Sequence, residues 1–292
     1  MSNKPHFIVI GAMKCATSTL QEQLLNQPGI FMSTPKEPNF FSDDDQYAKG
    51  IDWYTDLFAS ASDGDLLGEA STHYTKLPTY PDVLKRMSDY FDDMRFVYVM
   101  RHPVDRLISH FIHEWTMGKI NKNIDSAIKE HSELISYGQY SMQLKPYFET
   151  FGHDSVLPVF FDRLTSEPQL ELERICNHIG YQGKPVWVFN QQPSNVSNKR
   201  VRKFPLYHVL VESSWATMLR RSLVPRGWRN KIKNQLTMSK RPVISSDVQN
   251  ELVEIFDRDI SILGKWLGVD MDCNNFRSIT AERPLSWVLP DD

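Results

Sequence analysis

Phe7-Ile8-Val9-Ile10-Gly11-Ala12-Met13-Lys14-Cys15-Ala16-Thr17-Ser18-Thr19-Leu20 is the stretch that decides the fold. Phe7 to Ile10 is a continuous apolar, β-rich run that stops at Gly11, and from Ser18 onward Leu20, Leu24 and Leu25 recur at helical spacing. The pattern predicts a strand, a tight loop and a helix. The loop carries a lysine and is followed by three hydroxyls. Free amides at a helix N-terminus, a lysine over them and neighbouring hydroxyls together make a cradle for a phosphate. The Walker pattern GxxxxGK[ST] and the GxGxxG fingerprint are both absent, because Lys14 lies inside the loop with no glycine directly before it. A strand end, a solvated lysine and a Ser/Thr cap would give the same letters, so this loop decides the chemistry only in company.

Company comes from a second unit of the same kind. Phe96-Val97-Tyr98-Val99-Met100 reads as a buried strand ending at Arg101-His102-Pro103, and Leu107, Ile108, Phe111, Ile112 and Trp115 mark the helix after it. Arg101 at a strand end and Ser109 eight residues later on the helix can converge on one phosphate, by a guanidinium fork and a hydroxyl. Ser109 bonding back to its own helical turn is the plain alternative. A third run, Val156 to Phe161, precedes a helix with Leu170, Leu172, Ile175 and Ile179. Strands alternating with helices predict an α/β fold of three α/β/α layers around a central, mostly parallel sheet.

The stretches Pro35 to Asp45, Trp53-Tyr54 and Gly68 to Pro81 read as loops, expected to gather at the carboxyl ends of the strands where open parallel sheets bind ligands. Ser245 to Leu267 reads as a closing amphipathic helix with Val248, Leu252, Ile255, Phe256, Ile262, Leu263 and Trp266 on its apolar side.

Composition bounds the rest. The chain has 292 residues, 41% hydrophobic and 24% charged, enough to bury a substantial core. One domain over 1–292 is expected, with a nucleotide-binding core at 5–205, a basic segment at 206–244 and the closing helix within 245–270. A formal net charge of −3 excludes the bulk positive field of a general nucleic-acid binder. Lys199 to Arg241 nevertheless holds twelve Lys or Arg against Glu212 alone, a local +11 that leaves −14 elsewhere. That stretch reads as a solvated face, a nucleotide contact at its early end, or a peripheral contact to anionic lipid. Trp215 and Trp228 within it read as core, lid or membrane contact. Cys15, Cys176 and Cys273 are far apart, with no CxxC pair and no zinc spacing. No run approaches a signal core or a membrane span, so the expected compartment is reducing and cytoplasmic. His110 and His113, three apart on a helix, lack an evident third metal ligand and read as exposed helix residues.

Five ordered blocks resemble one family, the sulfotransferases that use 3′-phosphoadenosine-5′-phosphosulfate (PAPS), and within it the carbohydrate branch that includes the heparan sulfate enzymes and bacterial relatives. The family's 5′-phosphosulfate loop, Lys-x-Gly-Thr-[ST], is similar to Lys14-Cys15-Ala16-Thr17-Ser18, with Ala16 where glycine is usual. Its 3′-phosphate motif matches Arg101 and Ser109, and its base-bearing Glu-x-x-Phe-Phe matches Glu37-Pro38-Asn39-Phe40-Phe41, followed by Gly50 to Tyr54. Glu69-Ala70-Ser71-Thr72-His73-Tyr74 resembles the next block, and Lys199 to Pro205 the late basic loop that closes over the nucleotide.

The resemblance implies a nucleotide-kinase-like core of the P-loop kind and sulfonate transfer from PAPS to a hydroxyl acceptor, a sugar or glycolipid. It implies Lys14 on the departing phosphate oxygen and Glu37 as general base, with His73 in reserve. Lys14, Cys15, Ala16, Thr17, Ser18 and Thr19 would hold the 5′-phosphate, Arg101 and Ser109 the 3′-phosphate, and Arg200 and Arg202 would close the site. Phe41, His73, Tyr74 and Tyr140 would face the acceptor. Lys and Arg supply the positive charge, so no metal is expected. Heparan-type enzymes commonly carry Lys at the position of Ala70, and Ala16 fits the cradle if it does not need positive φ. An NTP-dependent kinase of related fold and a non-catalytic polyanion or membrane binder remain as alternatives at this point.

Overall fold

A computed structural model describes residues 4–189, 200–201, 237–238 and 240–288. In chain order the elements are β1 (Phe7–Gly11), α1 (Thr17–Leu25), β2 (Ile30–Met32), α2 (Asp44–Tyr47), α3 (Gly50–Asp56) and β3 (Leu66–Ala70), then a 3-10 turn at Thr72–Thr75. There follow α4 (Val83–Ser88), β4 (Arg95–Met100), α5 (Pro103–Thr116), α6 (Ile124–Glu130), α7 (Glu133–Ser136), α8 (Tyr140–Phe151) and β5 (Val156–Phe160). After α9 (Phe161–Ser166) and α10 (Pro168–His178) come the two-residue strands β6 (Arg200–Val201) and β7 (Thr237–Met238), then α11 (Ser246–Leu267) and α12 (Phe276–Glu282).

Five strands form one parallel sheet in the order β2-β3-β1-β4-β5, flanked by helices. β1 is buried along its whole length and pairs with β3 on one side and β4 on the other, with Phe7 opposite both Gly68 and Arg95. From β1 the chain first fills one half of the sheet and then returns to the other. The switch point therefore lies at the carboxyl end of β1, where a ligand crevice is expected in an open parallel sheet.

The three strands read from sequence are present. β2 and β3 are additional, and the Gly68 end of a stretch read as loop is central strand. Leu66-Leu67-Gly68-Glu69-Ala70 carries no β-branched residue and includes a glycine and a carboxylate, so it gives no strand signal of its own. Gly68 is required there because a Cβ would lie 2.1 Å from the Phe7 ring. Trp53-Tyr54, read as loop, is the middle of α3, whose Tyr54 packs into the core.

The closing helix forms as expected, ending at Gly268 in the left-handed conformation that stops helices at low steric cost. Its buried stripe is Val248, Leu252, Phe256, Ile260, Leu263 and Leu267, while Ile262 points outward. Leu170 on α10 is likewise exposed, and Cys176 takes its place against the core with Leu172 and Ile175. All three cysteines are buried and unpaired, and burial pushes the Cys15 thiol up to about 11. Among the described residues no helix is long and apolar enough to cross a membrane.

Candidate active site

Three strand ends meet at the switch point. β1 runs into the Ala12–Ala16 loop, which is pinned to the neighbouring strand by a bond from Ala12 N–H to the Val99 carbonyl at 2.8 Å. Lys14 and Ala16 both adopt left-handed backbone, with φ of 71° and 67°. α1 then starts at Thr17 with no side-chain cap and no acidic residue in its first turn. Its leading amides and the half-exposed Ser18 and Thr19 hydroxyls suit an anion, while Thr17 is buried.

The Glu37 segment lies across this helix start. Lys36 donates from Nζ to Ser18 Oγ, and the Glu37 amide donates to the Ala70 carbonyl at 3.2 Å, which ties the segment to the end of β3. Glu37 Oε1 accepts a hydrogen bond from Thr72 Oγ1 at 3.2 Å. Glu37 and Asn39 are left-handed as well, at φ 53° and 54°. Among the described residues, the non-glycine residues with positive φ are Lys14, Ala16, Glu37 and Asn39, all in the two loops that face each other here. Backbone held in a costly region clusters where a site must be shaped.

A buried network supports the Glu37 segment from below. Glu69, fully buried, accepts hydrogen bonds from Tyr54 OH and from Ser71 Oγ at 2.5 Å. Ser71 Oγ in turn accepts from Asn39 N–H at 3.3 Å, and Tyr74 OH lies 3.5 Å from Phe41 N. Burial pushes the Glu69 carboxyl up, and the Ser71, Tyr54 and Tyr74 hydroxyls oppose that shift. Phe40 stacks on Tyr54 with ring centres 4.8 Å apart, and Phe41 meets the same ring edge-on. The two phenylalanines are therefore the floor of the segment.

Positive charge gathers around Glu37. Lys76, 7% exposed, is pushed down to about 8 by burial, an effect that Glu37 and Glu114 oppose. Burial also lowers Lys36, again opposed by Glu37. Lys36 and Lys76 are site residues that the sequence reading passed over. Lys36 was visible as a neighbour of Glu37, whereas nothing in the local pattern distinguishes Lys76 from a surface lysine.

Arg101 leaves β4 directly beside the loop. Its guanidinium stacks 4.4 Å over the Phe161 ring, another contact that sequence reading missed. Pro103 at the start of α5 ends the strand cleanly, and Ser109 lies half-buried farther along that helix. Arg202 and the Trp215–Trp228 region lie outside the described residues, as does the side chain of Arg200.

Of the four residues expected to face an acceptor, His73 alone is partly exposed. Its ring stacks on Tyr80 at 4.8 Å, and burial with Lys76 pushes it down to about 4. A neutral imidazole that holds a proton so weakly is a poor proton acceptor. Phe41, Tyr74 and Tyr140 are interior, and each buttresses a loop. His110, expected on the surface, is buried and stacked on Tyr137 at 5.5 Å, pushed down to about 2 by burial and Arg106. Among the described residues no cluster suited to a metal ion exists.

Comparison with known proteins follows the same lines. A family model described as "Sulfotransferase domain" matches residues 4–255. The mouse protein named heparan sulfate glucosamine 3-O-sulfotransferase 3A1 is 30% identical over 187 residues, which is 60% of this chain and 46% of that protein. The Dictyostelium discoideum membrane-associated sulfotransferase kil1 is 33% identical over 142 residues, 45% of this chain and 29% of that one. The chain thus spans about half or less of the length of these curated relatives. In three dimensions it is similar to a sulfotransferase from Alicyclobacillus acidocaldarius, with a TM-score of 0.64 at 21% identity, covering 92% of this chain and 97% of that one. A mouse sulfotransferase, SULT7A1, solved with PAP, shares the fold at a TM-score of 0.50 and 13% identity, covering 91% and 87% of the two chains.

Proposed function

The chain belongs to the sulfotransferase domain family, and we propose that it transfers a sulfonate group from PAPS to a hydroxyl of a carbohydrate acceptor. One observation carries this reading. The Glu37 segment is bonded to the start of α1 through Lys36 and Ser18 and to the end of β3 through its own amide, which brings it beside the helix that the Lys14 loop leads into.

In this mechanism Glu37 accepts the proton of the acceptor hydroxyl as its oxygen attacks sulfur. The new O–S bond forms while the S–O bond to the 5′-phosphate breaks in line, and the electron pair leaves on the phosphate oxygen. Lys14 and the first amides of α1 stabilise that charge, with Lys36 close to Ser18 as a second cation. Arg101, its guanidinium over the Phe161 ring, binds the 3′-phosphate together with Ser109 and so distinguishes PAPS from nucleotides without it. The relatives named for heparan sulfate glucosamine support a sugar hydroxyl as acceptor. Ala70 stands where heparan-type enzymes commonly carry Lys, and the nearby cation beside Glu37 is Lys76.

Calorimetric titration with 3′-phosphoadenosine-5′-phosphate (PAP), beside 5′-AMP and ATP with Mg²⁺, tests the reading. Metal-independent binding that prefers PAP and is lost in Arg101→Ala is expected. Binding of ATP with Mg²⁺ alone would point to a kinase, and no nucleotide binding would overturn the proposal.

A further inference from the structure

Tyr140 occupies a junction that the mechanism above does not use. It is fully buried at the first position of α8, and its phenolic oxygen reaches both chains that hold the phosphates. That oxygen accepts a hydrogen bond from Arg101 N–H at 3.2 Å and donates to the Arg101 carbonyl. The Cys15 Sγ of the phosphate loop lies 3.9 Å from it. The last paired residue of β4 is Met100, opposite Phe160, so Arg101 is the first residue beyond the ladder. A strand loses its partners there, and the phenol supplies both bonds that another strand would have made.

The placement of Tyr140 is itself enforced. α8 has no side-chain cap of its own from Gln139. Instead, Asp259 from the middle of α11, buried, accepts from Ser141 N–H at 3.1 Å, Ser141 Oγ at 2.5 Å and Met142 N–H at 3.1 Å. A carboxylate from another helix thus satisfies the leading amides of α8. The Tyr98 ring meets Tyr140 edge-on, with centres 6.0 Å apart, and closes the remaining side.

We propose that Tyr140 is a positioning residue that fixes the Arg101 backbone against the Cys15 loop, so that the 3′-phosphate and 5′-phosphosulfate contacts are set as one unit, with Asp259 holding the helix that carries it. The inference rests on the PAPS reading. It assigns Tyr140 to the nucleotide side of the site instead of the acceptor side, and it gives the closing helix a part in nucleotide selectivity.

The test is the ratio of PAP to 5′-AMP affinity in wild type, Tyr140→Phe, Arg101→Ala and the double variant. Tyr140→Phe keeps the ring and removes one oxygen, which leaves two backbone groups of Arg101 unpartnered. It is expected to weaken PAP roughly tenfold and 5′-AMP less than about threefold. In the Arg101→Ala background it is expected to change PAP affinity less than about twofold, because the effect runs through Arg101. A purely structural role would lower both affinities together and persist in that background; either outcome overturns the proposal. Asp259→Asn, which leaves every nucleotide-facing side chain in place, should lower the same ratio and decides the matter if Tyr140→Phe does not fold. An unchanged ratio in that variant overturns the proposal. A wild-type protein with no preference for PAP would remove the PAPS reading and this inference with it. A wild-type preference that the variants retain would remove this inference alone.

Discussion

Ala16 holds φ at 67°, a conformation that costs an L-residue about 1 kcal/mol or more and glycine almost nothing. The sequence made this substitution visible, because the family pattern carries glycine there; its expense was not, because φ cannot be read from letters. Ala16→Gly is therefore expected to leave PAP affinity within about twofold. It should raise unfolding free energy by roughly 0.5 kcal/mol, once the greater freedom of glycine in the unfolded chain offsets part of the gain. Urea unfolding measures it. In the proposed mechanism Lys14→Ala removes a charge from the departing oxygen, and it should cost about 3 to 4 kcal/mol in the barrier, read from the rate of sulfonate transfer. Glu69 shows a different kind of illegibility. A Gly-Glu pair in sequence reads as surface loop, yet this carboxyl is fully buried and held by two hydroxyls. Tyr54→Phe should lower stability by about 1–3 kcal/mol, since it leaves a buried acceptor short of a donor. It should also lower turnover more than PAP affinity, because Ser71, bonded both to Glu69 and to Asn39 N–H, passes the disturbance to the Glu37 segment.

At the scale of elements, β1, α1, β4, α5 and the closing helix announced themselves through apolar runs and helical spacing. β3 did not, although it lies between β2 and β1 and carries Ala70, to which Glu37 is bonded. Its burial is imposed by its neighbours, not by its own residues, and Gly68 shows how closely they approach. Gly68→Ala forces a methyl into the Phe7 ring and should destabilise the protein by about 1–3 kcal/mol, measured by denaturant midpoint at constant slope. The helix pair α8 and α11 was half legible. The amphipathic stripe of α11 was read, but Asp259 within it was not, since a buried carboxylate is intelligible only once the amides it caps are in place.

Across the whole molecule, charge is arranged locally and not in bulk. Arg241, the last residue of the basic stretch, pairs with Asp105 Oδ1 at 2.6 Å, and Arg277 from α12 pairs with the same carboxylate. Asp105 lies in the first turn of α5, the helix that follows Arg101 in the chain, so the end of that stretch is fastened to the start of that helix. Histidines set the response to acid. His73 and His113 are pushed down to about 4 and His110 to about 2, each chiefly by burial, against 6.5 for an ordinary histidine. The unfolded chain therefore binds more protons than the folded one below about pH 6.5. Their contribution is fully present above that pH and is lost as the pH falls through 6.5 towards 4. His102 and His178, lowered by burial too, add to the fall, while Glu69, Asp162 and Asp259, raised by burial, oppose it only near the carboxylate range at its acid end. Unfolding free energy followed from pH 7.5 to 4.5 should fall, and His110→Gln should flatten the fall; a stability that rises over that range would contradict the assignment.

In the proposed reaction Glu37 and Lys14 act on one sulfonate. The most direct measurement is PAP release from PAPS with a panel of carbohydrate acceptors, for wild type, Glu37→Gln and Lys14→Ala, alongside PAP affinity for each. Acceptor-dependent release by the wild type, reduced about 10²–10⁴-fold in Glu37→Gln with PAP affinity unchanged, is the expected result. Release by Glu37→Gln at the wild-type rate would contradict it.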